Sequence, residues 1–142
     1  MNGLLVDLAQ ARSALQVAAA GASELIRSLP DPLAPVPGLE WTVGQTAAHM
    51  VAAPMNYLCY ATGQAEPEAT IDLRAGNLER IERVGSQDLC ELADLLVEET
   101  DRYLDGTANL SGDHRVPFFG GTVVVKSTET VDLTLLAEGW AG

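Results

Sequence analysis

The sequence predicts an all-α fold: an antiparallel four-helix bundle with a small β-hairpin before a short last helix. Three observations predict it. Apolar residues recur at alternating steps of four and three through residues 3–29 and again through 89–104, the period of one helix face. Prolines and glycines punctuate these runs at the places where helices end. One stretch, "VPFFGGTVVVK" at 116–126, departs from the helical period, with β-branched and aromatic residues on both sides of a Gly-Gly pair.

The elements follow in order. In the first helix Leu4, Leu8, Ala11, Leu15, Ala18, Ala22, Leu25 and Leu29 fall on one stripe, and Pro30 ends it. "PDPLAPVPG" holds four prolines and a glycine, so it reads as an extended, stiff loop crossing the end of the bundle. Thr42 and Gln45 have the spacing of a capping box, which opens the second helix. Val43, Ala47, Met50, Val51 and Leu58 form its apolar face, Pro54 is placed to kink it and Gly63 to stop it. Residues 64–71 are a polar connection. "DLRAGNLERIERVG" is a short helix, with Glu79 and Arg83 spaced for an i, i+4 ion pair. Ser86 or Asp88 caps the next helix, which carries Leu89, Leu92, Ala93, Leu96, Val97, Thr100, Tyr103 and Leu104 inward. From Thr130 the helical period returns through Val131, Leu133, Leu135 and Leu136, then stops at "AEGWAG". The 142 residues make a single domain whose last helix is truncated, and two connections are too long for simple hairpins.

Charge narrows the classes of partner. Twenty acidic residues against eight basic ones give a net charge of −12, which repels phosphate backbones and anionic lipid heads. This acidic protein is therefore expected to bind neither nucleic acid nor a membrane surface. The first residues carry Asp7 and no basic n-region, and no apolar run is long enough to span a bilayer. Cys59 and Cys90 form no CxxC pair and read as reduced thiols of a cytoplasmic protein.

No phosphate-binding glycine loop and no GxSxG is present, so the chemistry rests on a few side chains. His49 lies beside the apolar face of the second helix, either as a metal ligand or as a packed structural histidine. His114, in "SGDHRVP", reads as a solvated loop residue. Trp41 either staples the loop onto the second helix or walls a pocket. Asn56 and Tyr60, on the His49 side of the helix, line that pocket or meet solvent.

The stretch "PVPGLEWTVGQTAAHMV", residues 35–51, resembles the DinB-like superfamily. More narrowly it resembles the N-terminal domain of the bacterial mycothiol-dependent maleylpyruvate isomerases. "LRAGNLERI", "VPFFGGTVVV" and "TVDLTLLAE" extend the likeness over most of the chain. The resemblance implies a DinB-like four-helix bundle holding zinc or another divalent metal. It implies His49 as the ligand from the second helix and Glu138 as a ligand from the last helix. The metal of that family activates the thiol of a mycothiol-type cofactor, which attacks a small electrophilic substrate.

One departure bears on that mechanism. The family's further ligand, four residues beyond Glu138, falls on Gly142, which has no side chain. A site with two protein ligands holds zinc poorly, and His114 is the possible substitute. The expectation is therefore double: a metal- and thiol-dependent isomerase or transferase, or a degenerate bundle that binds a small molecule or forms a homodimer. A mass near that of one chain, 15.0 kDa, in size exclusion counts against the dimer.

Overall fold

A computed structural model of the chain describes residues 8–63, 73–109, 114–118 and 121–125. Four helices dominate them: α1 (Leu8–Ser28), α2 (Val43–Ala61), α3 (Leu73–Val84) and α4 (Leu89–Thr107). Two five-residue segments, β1 (His114–Phe118) and β2 (Gly121–Val125), pair antiparallel with His114 opposite Val125 and Phe118 opposite Gly121. The expected last helix, with Glu138 and Gly142, lies outside the described residues, as does the connection at 64–72.

α4 is the central helix, in contact with α1 on one side and α2 on the other, and α3 packs on α2. Leu92 and Ala93 of α4 are fully buried, and Ile26, Ala47, Ala48, Val51, Ile81, Leu89 and Leu96 close the core around them. Side-chain bonds set the direction of α1 against α4. Arg12 donates to the Thr107 hydroxyl (3.1 Å) and to the Leu104 carbonyl, and the Ser23 hydroxyl donates to the Ala93 carbonyl (2.8 Å). Arg27 meets Asp94 at 2.5 Å. Early residues of α1 thus meet late residues of α4, so this pair is antiparallel.

The α2–α4 pair is parallel, a departure from the expected antiparallel bundle that agrees with connections too long for simple hairpins. Gly44, at the start of α2, faces Gln87 just before α4, while Leu58 near the end of α2 packs on Gly106 in the last turn of α4. The connector explains it. Between α2 and α4 the chain returns to the end from which α2 sets out: Arg74, at the start of α3, meets Glu40 just before α2 (2.8 Å), and α4 begins from that same end.

A second correction concerns the buried stripe of α1. Ala19, Ser23 and Ile26 are buried, whereas Ala18 is exposed and Leu25 is 62% exposed. The buried line lies about one position further along than apolar spacing alone indicates. Ser23 makes this possible, because its bond to Ala93 removes the cost of burying a hydroxyl. On α4 the expected Leu89, Leu92, Ala93, Leu96, Thr100 and Leu104 are buried, Val97 and Tyr103 are half-buried, and Glu99 is buried too, its carboxylate held 2.6 Å from Arg102.

The proline-rich loop is folded rather than extended. Val36, Pro37, Gly38 and Leu39 form a turn closed by the Leu39 amide donating to the Val36 carbonyl (3.0 Å). Gly38 has φ of 82°, the left-handed value such a turn requires at the residue after proline. The chain then doubles back, and Pro35 bridges Thr42.

Candidate functional site

The site is built on the first turns of α2. A helix start leaves its first amides without partners, and here the loop supplies two of them and the capping residue Thr42 the others. Val43 donates to the Ala34 carbonyl (2.9 Å) and Gly44 to the Pro32 carbonyl (2.8 Å). Gln45 donates to the Thr42 hydroxyl (3.1 Å), and the Gln45 side chain accepts from the Thr42 amide (2.9 Å), the expected capping box. Thr46 closes the turn on the Thr42 carbonyl (2.9 Å). The approach favours glycine at 44: a Cβ there would stand 3.1 Å from the Pro32 oxygen and 3.1 Å from the Gln87 Cβ, tighter than ordinary contact. The loop is fastened to the helix, and it presents Trp41 at a fixed place.

Trp41 packs its partly buried ring against the core cluster and also faces His49. The two ring centroids are 5.0 Å apart with the planes tilted by 51°. That separation suits a tilted aromatic pair. His49 is half-buried, and its Nδ1 is buried with no hydrogen-bond partner among the described residues. Burial lowers the His49 pKa from its ordinary value, and the positive charge of Arg80 on α3 lowers it further. The imidazole is therefore neutral at physiological pH, the form that ligates metals and accepts protons.

Further along α2 the site gains aromatic and polar neighbours. Asn56 and Tyr60 lie seven and eleven residues beyond His49, on the same helix face, and both are half-buried. Tyr57, which the sequence reading passes over, has its phenol pKa raised, first by burial and then by Tyr103 of α4. Arg80 pulls the same group downward and Tyr60 raises it. Arg80 thus acts on both His49 and Tyr57, and its Nη1 donates to the Oδ1 of the buried Asn77 (3.3 Å). Tyr57, Arg80 and Asn77 carry no motif. Only the packing of α3 on α2 brings Arg80 within electrostatic reach of His49.

His49 fits one bond of a metal site, since a buried, neutral, unpaired imidazole nitrogen is a ligand in waiting. The described residues supply no more than that: among them no three His, Cys, Asp or Glu side chains stand close enough to share an ion. His114 opens β1 instead of lying in a loop, and β1 packs against α2, so that strand runs beside the helix carrying His49. Glu138 lies outside the described residues. A separate shallow groove lies between the ends of α2 and α4, bordered by Glu98, Asp101, Arg102 and Asp105, and does not include His49.

No helix among the described residues is long and apolar enough to cross a membrane. No family model, no curated protein and no solved structure matches this chain.

Proposed function

We propose that the chain is a DinB-like bundle of a bacterial cytoplasm in which His49 holds a divalent metal for thiol-dependent isomerase or transferase chemistry. The observation that carries this reading is the buried Nδ1 of His49, neutral and without a partner among the described residues. Glu138 is the second ligand of the proposed site, and His114 stands in for the histidine that Gly142 replaces. A bound divalent cation lowers the pKa of a coordinated thiol, supplying a thiolate at neutral pH. The part of this chain's own residues is to keep His49 unprotonated and to wall the site with Trp41. Asn56 and Tyr60 share the helix face of His49, along which a small-molecule substrate or thiol would enter.

The test is metal content by mass spectrometry after dialysis against trace zinc. The expected result is about one zinc per chain, lost in His49→Ala. Circular dichroism checks that the variant retains its helices. Wild-type protein without metal would overturn the reading.

A second reading rests on Arg80. A guanidinium whose field reaches His49 opposes a second cation there. It favours a non-catalytic bundle that binds a small molecule beside His49. In that case a metal-free Trp140→Phe protein, whose emission then reports Trp41, changes its emission on adding a low-molecular-weight thiol or an organic acid, and zinc has no effect.

A further inference from the structure

We draw no further inference here: the strongest candidate, the solvent-facing stripe of α1 that carries Val17 and Leu25, is an unpartnered apolar helix face, and nothing in the structure shows what covers it.

Discussion

His49 shows how much a single side chain can reveal before its surroundings are known. The sequence places it on α2 beside an apolar face, eight residues after a tryptophan, whereas the contact of the two rings comes from the structure. Both positions are legible from helical spacing and the capping box. Its electrostatic partner is not legible, because Arg80 comes from another helix and no local pattern encodes that approach. The consequence is a pH dependence with a defined sign. The folded pKa of His49 lies below the ordinary 6.5. As pH falls below that value the unfolded chain takes up a proton that the folded chain refuses. The His49 contribution is therefore whole above the ordinary value and shrinks as pH drops toward the folded one. Urea denaturation in chelator at roughly pH 7.5 and 5.5 tests this. Wild type should lose more stability between the two than His49→Gln does. Equal losses would remove the argument that burial holds the imidazole neutral.

At the scale of elements, two glycines in helices give opposite predictions. Gly44 is pressed between the loop and the segment just before α4, and an added Cβ would stand 3.1 Å from both the Gln87 Cβ and the Pro32 oxygen, a backbone acceptor already holding a hydrogen bond. Overpacking costs about 1–3 kcal/mol, which exceeds the roughly 1 kcal/mol that alanine gains in a helix. Gly44→Ala should therefore lower the urea midpoint. Gly21, in the middle of α1, has nothing within 4 Å of an added Cβ. Gly21→Ala should raise the midpoint, by about 0.5–1 kcal/mol in stability. The helices themselves are well read from sequence: α3 ends at Val84 before Gly85, and Asp88 caps α4 by accepting from the Glu91 amide (2.9 Å). The loop before α2 is less so. Proline content shows only that no helix forms there, whereas the turn at Gly38 and the carbonyls aimed at α2 arise from the docking of loop on helix.

At the scale of the whole molecule, the packing order of α1, α4, α2 and α3 decides which apolar residues matter. Ile26 and Leu25 are neighbours in sequence, yet Ile26 is 3% exposed and Leu25 is 62% exposed. Ile26→Ala should cost about 2–5 kcal/mol. Leu25→Ala should stay within about 0.5 kcal/mol. Thermal or urea unfolding of the two variants checks the difference, and equal losses would mean that Leu25 is covered in solution. Apolar spacing alone predicts the reverse, because it scores Leu25 on the stripe and passes over Ser23. A serine is buried at no net cost only where a carbonyl waits for it, and that carbonyl belongs to α4. The parallel pairing of α2 and α4 is hidden in the same way: periodicity reports each helix's wet and dry sides, not the heading of its neighbour.

The loop that supplies carbonyls to α2 has a kinetic consequence. Helix ends ordinarily fray, and their amides trade hydrogen for deuterium quickly. At 43–46 every amide is engaged, two of them by a segment anchored through its own turn. Exchange there requires loop and helix to part together, so these amides should be as slow as those in the middle of α2. His49 is mounted on the stiff end of its helix, and a small molecule arriving there would meet a receptor already in its final shape.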